Sequence, residues 1–252
     1  MKAKLLFIAG ALIFTNAISA QGIKGLMNKV AKKDSSGRSV LDNIKSGSAT
    51  KGGLSNEEII NGLKEALRVA TDSSTTRLSR VDGFFADAAV KILMPEEAKK
   101  AENTLRSLGM GKMVDKAVLS MNRAAEDAAK GVSTIFWNSI KQMSIRDGVQ
   151  ILRSGDFAAT EYLKKTTTSE LTNKFKPVIE SSLAKVNATK YWKDVFSAYN
   201  KFSNTPVNTD LTAYVTERAL GGLFFNIGLE EQKIRKDPAA RVTDILKKVF
   251  AK

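Results

Sequence analysis

From Leu54 onward, apolar residues recur at spacings of three and four, and nowhere does a strand-like alternation with hairpin signals replace them. A helix of 3.6 residues per turn gathers such positions on one side, so the chain has to bury a series of helix faces against one another. In LSNEEIINGLKEALRVA, Ser55 with Glu58 three residues later reads as a capping box, and Ile59, Ile60, Leu63, Ala66, Leu67 and Ala70 trace the face. VDGFF reads as a turn, and Pro95 fits the first position of a helix that carries Ala98, Ala101 and Leu105 and closes at Gly109. The next helix is predicted from about Lys112 to Ala129, ended by Gly131.

VSTIFWNSIKQM is the most apolar of the predicted helices. Ser144 and Asp147 mark a short helix stopped at Gly155, Asp156 starts another, and Thr168 caps a longer one with Pro177 as a kink. ATKYWKDVFSAYNKF puts Tyr191, Trp192, Val195, Phe196 and Tyr199 on an aromatic side, and residues 204–209, with Pro206, read as a loop. Leu211 to about Lys236 forms a long helix with a weak point at Gly221 and Gly222. In DPAARVTDILKKVF, Asp237 is the predicted cap, Pro238 lies in the first turn, and Val242, Ile245, Leu246, Val249 and Phe250 form the face. The fold class is all-α: a single bundle-like domain over residues 54–252, of about nine or ten helices by these start and stop signals.

The segment before this domain has a different character. Residues 1–20 combine Lys2 and Lys4, an apolar run from Leu5 to Phe14, and small residues Ala17, Ser19 and Ala20. That is the pattern of a secretory signal peptide, its apolar run being well short of the ~20 residues a bilayer span needs. The expectation is an exported, periplasmic or envelope-associated protein with no transmembrane segment after cleavage. Residues 21–53 are a Ser/Gly-rich basic linker, with Ile23, Leu26, Met27 and Val30 at helical spacing among lysines, as in a short interfacial helix.

Two residue types are absent, and their absence limits the chemistry. With no cysteine, no disulfide or thiolate ligand is available, and with no histidine the commonest metal ligand and neutral-pH base is missing. Zinc sites built from Cys and His, His-dependent triads and His-ligated haem are excluded, and no cofactor or metal is expected. Residues 1–20 hold two lysines and no acids, so the remainder carries 38 Lys and Arg against 26 Asp and Glu. That balance favours anionic partners. In an exported protein these are an anionic lipid surface or a cell-wall polymer rather than nucleic acid.

Several short motifs have plain structural readings. Gly109-Met110-Gly111-Lys112 lacks the first glycine and the Ser/Thr of a phosphate loop, and reads as a helix-ending turn. Ser182 and Lys185 match the serine-x-x-lysine spacing without its partner motifs. Asn187-Ala188-Thr189 spells a glycosylation acceptor, but Asn187 reads better as the cap of the next helix.

The stretch LSMNRAAEDAAK, residues 119–130, is the most informative. Val114, Ala117, Val118, Met121, Ala124, Ala125 and Ala128 share a small-residue side that lets another helix approach closely. Asn122 and Glu126 lie on a second side, with Arg123 nearly opposite the alanines. Arg123 precedes Asp127 and Glu126 precedes Lys130 by four, the spacing of surface ion pairs. If the helix is central, these polar groups are buried and need partners, or they converge on a polar ligand.

LSNEEIINGLKEALRVAT, DGFF, LSMNRAAEDAA, IFWNSIKQMSIRDGVQIL, TTTSELTNKFKPVIESSL and DPAARVTDILKKVF together resemble the bacterial domain of unknown function 4197 family, in order over residues 54–252. The resemblance implies an exported helical protein and brings no reaction. It draws attention to Asp82, Gly83 and Phe84, to Asn122, Arg123 and Glu126, and to Arg241, Thr243 and Asp244. Three functions remain open on these grounds. The first is a non-enzymatic binding or envelope-associated protein meeting anionic partners through its basic surface. The second is a carboxylate-based hydrolase or lyase acting through Glu126, which needs a second carboxylate within roughly 5 to 10 Å. The third is a carrier of apolar ligands lined by residues such as Phe136, Trp137, Trp192 and Phe196.

Overall fold

Nine α-helices and two 3-10 turns account for most of the residues described by the computed structural model, which are 55–201, 206 and 209–250. The expected signal peptide and basic linker lie outside these residues, as does most of the loop expected at 204–209. In chain order the helices are α1 (Asn56–Leu78), α2 (Lys99–Ser107), α3 (Gly111–Ala128), α4 (Ser133–Gln142), α5 (Ile145–Arg153), α6 (Ala158–Lys185), α7 (Ala188–Asn200), α8 (Leu211–Lys236) and α9 (Asp244–Val249). The 3-10 turns are Glu96–Ala98 and Pro238–Ala240. No strand occurs among the described residues, in agreement with the all-α expectation.

The long helix α6 is the hub, packing against α8, α3, α4 and α7. Its buried residues Ala159, Leu163, Thr167, Leu171, Phe175, Ile179 and Leu183 repeat every four positions. A four-residue step overshoots one turn by ~40°, so over six steps the stripe winds roughly 240° around the helix. Different parts of α6 therefore present apolar surface to different neighbours. α8 is the second spine and also packs on α1, while α1 is covered by α4, α5 and α9. Phe84, Phe136 and Phe175 are fully enclosed, and Phe136 meets Phe224 edge-on with ring centroids 6.1 Å apart.

The predicted break at Thr168 does not occur. Thr168 lies inside α6 with its hydroxyl donating to the Lys164 carbonyl at 2.5 Å. A threonine turned back on its own helix caps nothing, and nothing from Ala158 to Lys176 interrupts the helix. Pro177 sits inside the helix on an exposed position, where the carbonyl deprived of its donor can reach water. The predicted C-terminal helix also differs: Asp237 caps only the 3-10 turn, through the Ala239 N–H at 2.9 Å, and Thr243 caps α9. Between them Arg241 adopts a non-helical backbone, and Val242, expected on the apolar face, is exposed. Pro95 precedes a 3-10 turn as its N-cap rather than opening the helix itself. Asn187 takes a left-handed conformation (φ 55°) just past α6, the usual way to close a helix, so its local role is at the end of α6.

Candidate functional site

Between α1 and α2 the chain runs for about twenty residues as turns and irregular chain, with local turn bonds such as Gly83 N–H to Arg80 and Lys91 N–H to Asp87, so the main-chain groups those turns leave over must find partners elsewhere. The polar side of α3 supplies them. Asn122, fully buried, accepts the Ile92 N–H on Oδ1 at 2.9 Å and donates from Nδ2 to the carbonyls of Ile92 and Val118, both at 2.8 Å. One turn on, Glu126 Oε1 accepts the N–H groups of Phe84 and Phe85 at 3.1 and 3.2 Å. Its other oxygen takes the Arg123 guanidinium at 2.6 Å, and Arg123 reaches across to Asp82 at 2.7 Å. These two carboxylates, Glu126 first, hold the Arg123 guanidinium above its ordinary pKa.

Asp82, Asn122, Arg123 and Glu126 are thus brought together, as an anchor for a strap of main chain. The turn itself needs particular residues. Asp82 has φ 68°, and a Cβ on Gly83 would lie 2.5 and 2.6 Å from the carbonyl oxygens of Arg77 and Leu78. Only glycine fits there. The turn delivers Phe84 into the core and points two consecutive N–H groups at Glu126.

Arg241 and Asp244 work elsewhere. Arg241 is buried and donates to the carbonyls of Ile234 and Arg235, both at 3.0 Å, satisfying the C-terminal end of α8. Asp244 is exposed in the first turn of α9, 3.3 Å from Lys247. A further buried acid, Glu231, has the same kind of role. Phe157 gives α6 no side-chain cap, and Glu231 of α8 accepts the Ala159 and Thr160 N–H groups at 3.1 and 2.8 Å instead. Arg235 pairs with that carboxylate at 2.8 Å and also donates to the Ile151 carbonyl at the end of α5. Glu231 escaped the sequence reading, although Arg235 four residues on was a visible sign; Asp156, expected to start this helix, pairs with Lys236 instead of capping it.

A concavity lies on another side of the strap. A groove of ~1030 Å³ runs between α6, α8 and the strap residues 89–96. Its α6 wall carries Lys164, Thr168, Thr172 and Lys176, four apart. Thr168 and Thr172 turn their hydroxyls onto main-chain carbonyls of α6, which leaves the lysines as the outward donors. Its α8 wall carries Tyr214, Glu217, Arg218, Gly221, Phe225 and Leu229, and Phe157 and Leu93 add further apolar surface. Phe157, Phe225 and Leu93 are each about half exposed.

Among the described residues, Lys91, Lys164, Lys176 and Arg218 form no ion pair. Lys91 lies over the Phe85 ring at 3.9 Å and Arg218 over the Tyr214 ring at 5.4 Å. Tyr214 stacks on Trp192 and donates to the Leu93 carbonyl at 2.8 Å, and burial pushes its phenol above the ordinary pKa. The sequence reading passed over these groove residues. The four-residue series Lys164, Thr168, Thr172 and Lys176 on α6 was legible, but which neighbour faced it was not.

Asn122, Arg123 and Glu126 do not line this groove, and neither do Phe136, Trp137, Trp192 and Phe196. Phe136, Trp192 and Phe196 are buried in the core, while Trp137 is partly exposed beside Lys141. Ser182 donates to Asp127 at 3.2 Å, and Lys130, then Ser182 and Lys185, hold the Asp127 carboxyl below its ordinary value. Among the described residues no group of three acids is placed to hold a metal ion, and no helix is long and apolar enough to cross a membrane.

No curated protein and no solved structure matches the chain. A family model described as protein of unknown function (DUF4197) matches residues 53–251, the whole helical part described above. The motifs 54–252 pointed to the same assignment, and the chain belongs to the DUF4197 family of proteins of unknown function.

Proposed function

We propose that the protein is a non-enzymatic binding protein of the cell envelope, exported by its N-terminal segment, that meets an anionic partner through its basic surface. The observation that carries this reading is the set of four cations around one groove, Lys91, Lys164, Lys176 and Arg218, none of which forms an ion pair among the described residues. Uncompensated charges of one sign along a concavity concentrate counter-charged ligands. Glu96, Glu161 and Glu217 stand at the same groove; Glu96 is paired with Lys99, so among the described residues the four unpaired cations exceed the two unpaired acids there.

The polar cluster on α3 supports a binding scaffold rather than a reaction centre. Both oxygens of Glu126 already accept hydrogen bonds, and Asn122 is fully occupied with main chain. The test is co-sedimentation with phosphatidylglycerol vesicles and with purified cell-wall material, in low salt and again near 1 M salt, where the screening length falls to ~3 Å. Binding to anionic material only, lost in high salt and weakened in Lys164→Glu/Lys176→Glu, is the expected result. No association with either material at low salt sinks the reading. Binding that disappears on deleting residues 21–53 moves the contact to the basic tail.

A further inference from the structure

The groove is chemically two-sided, and that limits what can fill it. Along α6, Lys164 and Lys176 are twelve residues apart, ~18 Å at 1.5 Å per residue, with Thr168 and Thr172 presenting little spare donor capacity between them. Beyond Glu217 and Arg218 of α8, Phe225 and Leu229 form an apolar stretch, which Phe157 at the start of α6 and Leu93 of the strap extend. A small hydrophilic anion would use the lysines and leave the half-exposed rings of Phe157 and Phe225 in water. A neutral hydrocarbon would cover the rings and leave the excess of unpaired cations over Glu161 and Glu217 without a counter-ion. The volume is at the upper end of the ~300–1,000 Å³ common for small-molecule sites, more than a bare phosphate or carboxylate fills.

We infer that the groove binds a single anionic amphiphile, an acyl or alkyl chain carrying a phosphate or carboxylate, taken up as a monomer. This rests on the anionic-partner reading above and names its ligand class. The chain lies along Phe225, Leu229 and Phe157, and the head group meets Lys164 or Lys176 of the facing helix. Gly221 keeps the middle of the α8 wall open: a Cβ built there meets nothing within 4 Å, whereas the adjacent Gly222 is packed against Phe84 and Val90. The third wall is held in place from behind. Asn122 pins Ile92, between the groove residues Lys91 and Leu93, and Tyr214 pins the Leu93 carbonyl. A wall fixed on both sides needs little ordering when a ligand arrives.

The experiment is calorimetric titration of the purified protein with dodecyl phosphate below its micelle concentration. Inorganic phosphate and dodecyl maltoside serve as the head-only and neutral-head controls. Dodecyl phosphate is expected to bind at least about tenfold tighter than either control. Lys164→Glu/Lys176→Glu weakens it roughly tenfold, as loss of the one exposed ionic contact to the head group together with repulsion from the introduced carboxylates does. Gly221→Phe, which fills open space and adds no clash at its Cβ, abolishes it with circular dichroism and melting temperature retained.

Each contrary outcome has its own meaning. Inorganic phosphate binding as tightly as dodecyl phosphate overturns the amphiphile and leaves the anionic-partner reading standing. Equal binding of dodecyl maltoside overturns the need for charge, and with it both proposals. Dodecyl phosphate binding undiminished in Gly221→Phe overturns the groove as its site. No binding of dodecyl phosphate, alongside retained vesicle binding, overturns the monomeric ligand alone.

Discussion

The side-chain amide of Asn122 pairs with the peptide of Ile92 in both directions, accepting its N–H at 2.9 Å and donating to its C=O at 2.8 Å. A helix residue thereby replaces the neighbouring strand that an extended segment would otherwise require. Asn122→Ala leaves two buried main-chain groups without partners and is expected to cost roughly 2–4 kcal/mol. Asn122→Asp keeps the acceptor for Ile92 but sets an oxygen against the carbonyls of Ile92 and Val118, and should be no better tolerated. Urea midpoints of the three proteins check this, and a change below about 0.5 kcal/mol in Asn122→Ala is incompatible with the pairing.

Glu126 and Arg123 form an asymmetric pair, with the carboxylate buried and the guanidinium over a third exposed. Glu126→Ala strips the Phe84 and Phe85 N–H groups of their acceptor and should cost about 2–4 kcal/mol. Arg123→Ala leaves those bonds in place, and solvent screening of its exposed side reduces the loss to about 1–2 kcal/mol. In the double variant the effects should fall short of the sum by ~0.5 kcal/mol or more, since each single change removes the shared ion pair. Strict additivity in denaturation measurements would show that the pair contributes nothing.

Neighbouring glycines in α8 should respond oppositely to alanine. At Gly222 a Cβ comes within 2.8 Å of the Phe84 ring and 3.1 Å of Val90, so Gly222→Ala overpacks the core and costs ~1–3 kcal/mol. At Gly221 there is open space, and Gly221→Ala stabilises the helix by roughly 0.5–1 kcal/mol. Thermal melting of the two variants gives shifts of opposite sign.

Acid sensitivity has a local component at Asp127. Lys130 foremost, with Ser182 and Lys185, holds its carboxyl below the ordinary value of 3.8. A carboxylate with a lowered folded-state pKa contributes stability above its unfolded value, and that contribution disappears as pH falls through the folded value. Asp127→Asn is therefore less stable than the parent at neutral pH, and the gap closes progressively below the ordinary value. Denaturant midpoints from about pH 6 to about pH 3 follow the gap. A difference independent of pH contradicts the assignment.

Glu231 caps α6 from another helix, so its removal should be felt in α6. Glu231→Gln loses the charge-assisted bonds to Ala159, Thr160 and Arg235, each stronger than a neutral bond. Amide exchange at Ala159 and Thr160 should accelerate by about tenfold for each ~1.4 kcal/mol lost. Exchange at Leu171, deep in the same helix, serves as the internal reference.

How much of this was legible depended on whether a signal was local. The faces of α1 and α3, the capping pair Ser144 and Asp147 and the glycine stops at Gly109 and Gly131 all reside within a turn or two of the chain. Thr168 misled because a threonine can cap a helix or turn back on it, and its position alone does not choose. The family motifs selected Asp82, Asn122, Arg123 and Glu126 together, but their common purpose appeared only when the strap was seen lying across α3.

Helix class, approximate boundaries and the absence of thiol and imidazole chemistry follow from residue spacing and composition, because 3.6-residue periodicity, caps and residue type act over short range. The destinations of Asn122 and Glu126, and the meeting of the Lys164 to Lys176 ridge with the apolar wall of α8, depend on contacts between residues some thirty to sixty positions apart. Those contacts exist only once α3, α6 and α8 have packed. A buried amide or carboxylate takes whatever donor the packed neighbour presents, and no local pattern specifies that neighbour.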